Sequence, residues 1–173
     1  MALVVETGAG LPDADSYISV AEATAYHAAR GNAAWAAVVD DTTREQLLRK
    51  ATGFIDGTYA GQWLGYRMTD SQALDWPRGY VPRQPPSLTG SIYWPDDEVP
   101  VAVRNACAEL ALRAISGDLA PDLSGQVRSE KVGPIEVEYA PGARQQVKYQ
   151  VVDGLLQPFL QGGGQSFVKV TRA

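Results

Sequence analysis

The sequence predicts a mainly α protein, a small helical bundle with a β-hairpin and an extended C-terminal arm. Two capping boxes, each ahead of apolar residues at helical spacing, predict the core helices. Alternating runs on either side of Gly133-Pro134 predict the hairpin. Three consecutive glycines, 162–164, precede a last β-rich run and predict the arm. A chain of 173 residues, 45% of them hydrophobic, can build one domain with appendages.

The first two core helices are predicted from their capping boxes. Ser19 to Glu22 precedes an alanine-rich segment, which predicts a first helix ending near Arg30-Gly31, and a short helical piece is expected at residues 33–37. Thr42 to Glu45 begins a second helix that is expected to end before Gly57. Its apolar residues at helical spacing are Leu47, Leu48, Ala51, Phe54 and Ile55.

A connection rich in Gly, Pro, Trp and Tyr runs from Gly61 to Val99. Only Ser71 to Asp75 looks helical, and Trp76-Pro77 ends that stretch. Its aromatic residues alternate with arginines, a pattern that would suit base stacking on single-stranded nucleic acid. We favour the other interpretation, in which the aromatics pack on the bundle and hold the connection in place. The residues concerned are Trp63, Tyr66, Arg67, Trp76, Arg78, Tyr80, Arg83, Tyr93 and Trp94.

A third helix is predicted to begin at Pro100, which suits a first helical position, and to end at Gly117. One face of this helix is apolar and should pack against the second helix. A last short helix is predicted over residues 151–161, although Gly154 and Pro158 weaken it. The apolar face of the third helix consists of Val103, Cys107, Leu110, Ala111 and Ala114.

The hairpin is predicted over residues 127–139, and the chain after the three glycines forms a separate strand, Phe167 to Arg172. This strand has two possible partners: the sheet edge of another protein, or the hairpin itself. On the second hairpin strand, one face carries Ile135, Val137 and Tyr139 and the other carries Glu136 and Glu138.

These elements divide the chain into three parts: a helical body with its aromatic connection (1–126), the hairpin with the short helix (127–161), and the glycine tether with the strand (162–173). The first part has nine Lys and Arg against sixteen Asp and Glu, whereas residues 127–173 have six against four. An acidic body argues against a broad phosphate-binding surface, because nonspecific nucleic-acid affinity comes from clustered Lys and Arg.

No constellation of residues for catalysis is found, so the protein is not expected to be an enzyme or to hold a cofactor or metal. The single histidine, His27, has no His or Cys partner at metal-ligand spacing and is predicted to be partly exposed. The single cysteine, Cys107, is predicted to be a small buried side chain. Acidic groups at Asp13 and Asp15, Asp40 and Asp41, and 96–98 precede predicted helices, where acidic side chains act as caps.

No apolar run reaches the length of a membrane span, and the first residues lack a basic region followed by a long apolar segment. We therefore expect a soluble, unexported protein with no membrane partner.

Several segments together carry a resemblance to one family. The chain resembles tailed-phage proteins often labelled DnaT-like single-stranded-DNA-binding proteins, which are similar in layout to head-to-tail connector, or adaptor, proteins. The similarity spans nearly the whole chain, and its most specific parts are Trp76-Pro77-Arg78 and Ser129 to Pro134. The segments are Asp15 to Ser19, Ala25 to Gly31, Ala73 to Arg78, Val99 to Val103, Ala108 to Leu112 and Ser129 to Tyr139.

The adaptor resemblance implies a structural virion protein, made in the host cytoplasm, that forms a dodecameric ring beneath the portal. It would join the portal to the next tail or neck protein and line a conduit through which double-stranded DNA passes without sequence-specific binding. The strand expected to dock on the portal consists of Phe167, Val168, Lys169, Val170, Thr171 and Arg172. Contacts with neighbouring subunits or the channel are expected at Lys131, Val132, Gly133, Pro134 and Ile135.

The family label implies a different function, a single-stranded-DNA-binding accessory protein of replication. That alternative depends on the label and on the aromatic residues and arginines of the connection. The acidic body favours the adaptor, because DNA must move through a conduit without adhering to its wall.

Overall fold

The computed structural model describes residues 2–84, 86, 90–121, 129–132, 135–138 and 147–162. Within these ranges the chain is mainly α with a β-hairpin, as predicted, and it has a second short antiparallel sheet that was not predicted. The predicted C-terminal strand, Phe167 to Arg172, lies outside the described residues. The helices are α1 Val20–Ala28, α2 Ala33–Ala37, α3 Asp41–Tyr59, α4 Val101–Arg113 and α5 Gln150–Leu156, followed by a 3-10 helix at Gln157–Phe159. The strands are β1 Tyr66–Arg67, β2 Arg78–Gly79, β3 Ser129–Val132 and β4 Ile135–Glu138.

The capping box of α1 is confirmed. The Ser19 hydroxyl oxygen accepts a hydrogen bond from the Glu22 backbone N–H at 3.2 Å, and the Glu22 carboxylate accepts one from the Ser19 N–H at 3.1 Å. These bonds satisfy donors that the first turn of a helix leaves unpaired.

Helix α3 differs from its prediction at both ends. It begins at Asp41 because Asp40 is the N-cap and its carboxylate accepts the N–H of Thr43 at 2.9 Å, so Thr42, the predicted cap, lies inside the helix. It also continues past Gly57 to Tyr59, whose ring is buried. An added Cβ at Gly57 would contact nothing, so the glycine faces outward and costs about 1 kcal/mol relative to alanine. Burial of Tyr59 offsets that cost.

The core is centred on α4, which packs against both α3 and α5. The predicted apolar face of α4 is buried throughout and packs on α3 as expected, although α4 ends at Arg113 and not at Gly117. Cys107 is buried beside Thr52, with its Sγ 3.3 Å from the threonine Oγ1. Burial raises the pKa of the Cys107 thiol to about 11, which keeps it protonated and unreactive, in agreement with its predicted structural role.

Helix α5 forms near its predicted position and packs on α4 through Val152 and Leu156. Gly154 lies within the helix, and the chain changes to 3-10 geometry at Gln157, next to Pro158. Across the described ranges, no helix combines the length and the apolar character that a membrane span requires.

The aromatic connection contains no helix at Ser71 to Asp75, contrary to prediction. The buried side-chain amide of Gln72 donates to the backbone oxygens of Leu74 at 2.8 Å and Pro77 at 3.1 Å. These carbonyl groups are therefore satisfied by a side chain, and the segment forms a compact loop in place of a helical turn.

His27 is buried, at 1% exposure, so the prediction that it is partly exposed is wrong. Its Nε2 lies 3.1 Å from the Ala108 backbone oxygen, and the Asn32 side-chain nitrogen lies 3.0 Å from its Nδ1. Burial lowers the His27 pKa, so the ring is neutral at pH 7 and acts as a core residue between α1 and α4.

The acidic clusters have mixed roles. Asp40 caps a helix as predicted, but Asp15 accepts from the Val4 N–H at 2.9 Å and from Arg49 Nε at 2.6 Å, so it fastens the N-terminal loop to α3. Residues 96–98 cap nothing, since Pro100 is the N-cap of α4 and no side chain bonds to that helix end.

The predicted hairpin is confirmed in its strands. Ser129 pairs with Glu138 and Val132 pairs with Ile135 in an antiparallel register. Gly133 and Pro134 between the strands lie outside the described residues. The three-part division of the chain stays a prediction.

Candidate functional site

Exposed aromatic and apolar side chains gather on the connection between α3 and α4. Tyr66 and Tyr80 are 74% and 71% exposed, and Tyr93 is 39% exposed. Met68 and Ile92 are also exposed nearby in the chain. We refer to these five residues as the tyrosine surface. Contiguous exposed apolar groups on a folded domain mark a binding site more often than scattered ones do.

Short antiparallel pairings connect the segments that carry these residues. Tyr66 in β1 pairs with Gly79 in β2, directly before Tyr80. Further along, the Arg83 N–H donates to the Ile92 oxygen at 2.8 Å and so aligns the segment that carries Tyr93. The rings of Tyr80 and Tyr93 consequently meet edge to face, with centroids 5.8 Å apart.

Tyr80 has a backbone φ of 59°, in the left-handed region. A residue with a Cβ pays about 1–2 kcal/mol for this conformation. Here the strained residue carries one of the most exposed aromatic rings of the described chain. Strain of this kind often occurs at functional sites, where the surrounding structure holds a side chain in a set position.

Of the three arginines that the sequence places among the aromatics, Arg67 is exposed and Arg83 is half-buried. The Arg83 guanidinium lies 4.6 Å above the Trp94 ring and its Nε donates to the Tyr93 oxygen at 3.1 Å. Arg67 is exposed and also donates to the backbone oxygen of Gln72.

Arg78, in contrast, is a structural residue. Its guanidinium donates to the backbone oxygens of Leu64 at 2.8 Å, Gly65 at 2.9 Å and Asp75 at 3.2 Å, and only 9% of the residue is exposed. Arg78 therefore closes the loop that carries β1 and β2 and is not positioned to contact a ligand.

The inner aromatics support the outer ones. Trp63 and Trp76 are buried and meet edge to face with ring centroids 5.8 Å apart, and Trp76 meets Phe159 in the same manner. The predicted packing role is thus confirmed for these tryptophans, but it is wrong for Tyr66 and Tyr80. The buried tryptophans therefore form an ordered base beneath the exposed tyrosines.

A hydrogen-bonded group links α3 to this base. The Tyr17 hydroxyl donates to the Asp56 carboxylate and accepts from the N–H groups of Asp75 at 3.1 Å and Trp76 at 3.4 Å. Burial raises the pKa of Asp56 to about 6 and places that of Tyr17 well above its usual range. Asp56 and Tyr17 are 39 residues apart, and no sequence motif signals their contact.

Several cavities lie among the described residues of the body. One of about 340 Å³ is lined by Tyr17 and by several acidic side chains, including Glu22 and Glu98, together with Arg104. A second, of about 260 Å³, is mostly apolar and adjoins His27 and Trp35, and a third, of about 250 Å³, is lined in part by Phe54 and Leu119. Within the described part of the chain, no group of three or more His, Cys, Asp or Glu residues could hold a metal ion.

The residues predicted to contact neighbouring subunits are described only in part. The hairpin places Lys131 opposite Glu136 and Val132 opposite Ile135. Gly133, Pro134 and the whole predicted portal-binding strand lie outside the described residues. Their predicted contacts stay predictions.

A family model matches residues 1–173, the whole chain, and describes its family as "Putative DnaT-like ssDNA binding protein". No curated protein and no solved structure matches the chain. The description agrees with the label that the sequence resemblance carries. It names DNA binding and says nothing of a phage head-to-tail junction.

Proposed function

Because the chain belongs to this DnaT-like ssDNA-binding family along its whole length, we propose that it binds single-stranded DNA through the tyrosine surface. The observation that carries the proposal is the exposure of Tyr66, Tyr80 and Tyr93 on a base of buried tryptophans. Ordered aromatic rings that face solvent offer stacking platforms for bases, and their positions need no rearrangement on binding.

Stacking would supply most of the affinity, and phosphate contacts would supply the rest. Each stacked base contributes about 1–3 kcal/mol. Arg67 and Arg83 adjoin the tyrosines and would each contact one phosphate. The net charge of −5 opposes DNA binding at long range, so we expect affinity in the micromolar range. Every base has a stacking face, so binding should tolerate different sequences.

A fluorescence anisotropy titration with a labelled oligothymidylate tests this function. We expect Tyr80→Ala and Tyr93→Ala each to weaken binding by about 1 kcal/mol or more, since each removes a stacking ring. Between about 50 mM and about 200 mM salt, two phosphate contacts predict a slope of log affinity against log salt of about −1.4.

Val39→Ala is the matched control, because Val39 is apolar and 88% exposed. It precedes α3 in the sequence, whereas the tyrosine surface follows α3. Its affinity should equal that of the unaltered protein. Equal affinities for the tyrosine variants and this control would exclude the tyrosine surface as the DNA site.

A second candidate function is the head-to-tail adaptor, and we propose it on the strength of the resemblance and of the acidic charge of the protein. The sixteen Asp and Glu of residues 1–126 would repel DNA that passes through a ring. The β3–β4 hairpin offers strand edges to neighbouring copies. In this function the tyrosine surface would contact protein in place of DNA.

Co-sedimentation with the portal protein encoded by the same genome tests the adaptor. Full-length protein should bind the portal, and a chain ending at Gln161 should not, because the proposed docking strand is removed. If neither form binds the portal protein and the protein binds the oligonucleotide in the titration above, the adaptor function is excluded and the DNA-binding function is favoured.

A further inference from the structure

We propose that Asp56 and Tyr17 form a positioning hub, which sets how firmly the loop ending at Tyr80 is held and so couples solution pH to binding at the tyrosine surface. The inference rests on the proposed DNA-binding function for its effect on affinity. The hub itself is a property of the protein without DNA, and it can be tested separately.

The hub consists of one carboxyl group, one hydroxyl and two backbone N–H groups. Tyr17 donates to one oxygen of Asp56, and the Asp75 N–H lies 3.3 Å from the other oxygen. The same N–H and that of Trp76 also approach the Tyr17 hydroxyl, at 3.1 Å and 3.4 Å. Asp56 on α3 therefore holds the first residues of the segment that ends at Tyr80.

The rest of this segment is short and tightly bonded. The Arg78 guanidinium donates to the backbone oxygen of Asp75 in this segment and to those of Leu64 and Gly65. Gly79 pairs with Tyr66 in β1. A change in the order of Asp75 and Trp76 is therefore transmitted through at most five residues to the strained backbone of Tyr80. Both Tyr66 and Tyr80 depend on this loop for their positions.

Several charged and titratable groups act on Asp56 besides Tyr17. The carboxylate of Asp75 repels it, whereas Arg67 and Arg78 attract it. The buried thiol of Cys107 on α4 also faces it, but that group stays protonated across the physiological range. Burial is the largest influence and favours the protonated carboxyl group.

The direction of the effect follows from linkage. When the hydrogen bonds of the hub are formed (the closed hub), the Asp56 pKa is about 6. When they are broken and Asp56 is exposed to water (the open hub), its pKa would return to the ordinary value of 3.8. Protons therefore favour the closed hub, and a rise of pH through about 6 favours the open one. The loop should be best ordered on the acidic side of this range, and affinity for DNA should be highest there.

Two measurements on the full chain test the inference. Nitrogen-15 NMR follows the amide signals of Asp75, Trp76 and Tyr80 from about pH 5 to about pH 8, across the range where few other side chains titrate. Anisotropy of a labelled oligothymidylate gives the affinity over the same range at constant salt. The affinity should fall at least about fivefold, the lower end of typical coupling between two sites.

Asp56→Asn should abolish both the amide titration and the change in affinity, and Tyr17→Phe should weaken both while it keeps the buried ring. Asp153→Asn is the matched control, because Asp153 accepts from a second tyrosine, Tyr59, at 2.6 Å and does not contact the loop. This variant should retain the pH dependence of the unaltered protein.

Each outcome decides the inference. Amide signals that titrate near pH 6 in the unaltered protein and not in Asp56→Asn support the hub. Signals that stay constant, or that titrate equally in Asp56→Asn, overturn it. If the amides titrate as expected but no oligonucleotide binds at any pH, the hub is supported and the proposed DNA-binding function fails.

Discussion

Trp76 meets Phe159 at right angles, with ring centroids 5.5 Å apart, and this contact joins the aromatic connection to the 3-10 helix that follows α5. Both rings are buried, at 0% and 2% exposure. Trp76→Ala should therefore lower the free energy of unfolding by about 3–5 kcal/mol, the range for a buried large aromatic. Urea unfolding followed by circular dichroism measures the loss.

Tyr66→Ala is the control for this prediction, because it truncates an exposed aromatic of the same connection. Its free energy of unfolding should change by no more than about 0.5 kcal/mol. A stable Trp76→Ala protein would mean that the tryptophan is not part of the core. Loss of DNA binding in Trp76→Ala would not by itself identify a DNA contact, since the variant is expected to be strongly destabilised.

The left-handed backbone of Tyr80 predicts an unusual order of stability. Tyr80→Gly should be more stable than Tyr80→Ala by about 1 kcal/mol, because glycine adopts a positive φ without the Cβ clash and this gain exceeds its entropy cost. Thermal or urea unfolding of the two variants gives the difference.

The same pair of changes at Asp70 serves as the comparison. Asp70 is exposed and has no positive φ, so Asp70→Gly should be no more stable than Asp70→Ala. If alanine proves as stable as glycine at position 80, the backbone there is not strained.

Much of the fold could be predicted because its signals are local. The Ser19 capping box and the apolar face around Leu110 follow from residues a few positions apart, and the structure confirms both. The end of α3 could not be predicted, since burial of Tyr59 by distant parts of the chain outweighs the effect of Gly57. Burial of His27 likewise depends on Ala108, 81 residues away.

Only part of the candidate site could be predicted, because burial and exposure there also depend on contacts between residues that are distant in the chain. Sequence composition identified the aromatic connection, but tryptophan and tyrosine are intermixed along it without a period that distinguishes buried from exposed positions. Exposure of Tyr80 depends on its left-handed backbone, and burial of Arg78 depends on the carbonyl groups of Leu64 and Gly65. Neither feature has a signature in the sequence.

The raised pKa of Asp56 predicts that the free energy of unfolding depends on pH. Its pKa is about 6 in the folded protein and near 3.8 when exposed, so its favourable contribution is complete below about pH 4 and is lost as pH rises through about 6. The loss amounts to about 3 kcal/mol, from about 1.4 kcal/mol per pKa unit. Asp56→Asn should lack this dependence.

The measurement is the difference in unfolding free energy between the unaltered protein and Asp56→Asn at several pH values, because other carboxylates cancel in that difference. Asp13→Asn, at an exposed carboxylate, controls for the loss of one charge. A difference that stays constant from about pH 4 to about pH 7 would mean that Asp56 is hydrated in the folded protein.

Helix α4 packs on α3 through an apolar face that includes Leu110. Leu110 is completely buried on the face of α4 that the sequence marks as apolar, so Leu110→Ala should lower the free energy of unfolding by about 2–5 kcal/mol. Val101→Ala, on the same helix at 59% exposure, should change it by no more than about 0.5 kcal/mol. Urea unfolding compares the two variants. Similar effects would show that α4 does not present the Leu110 face to the core.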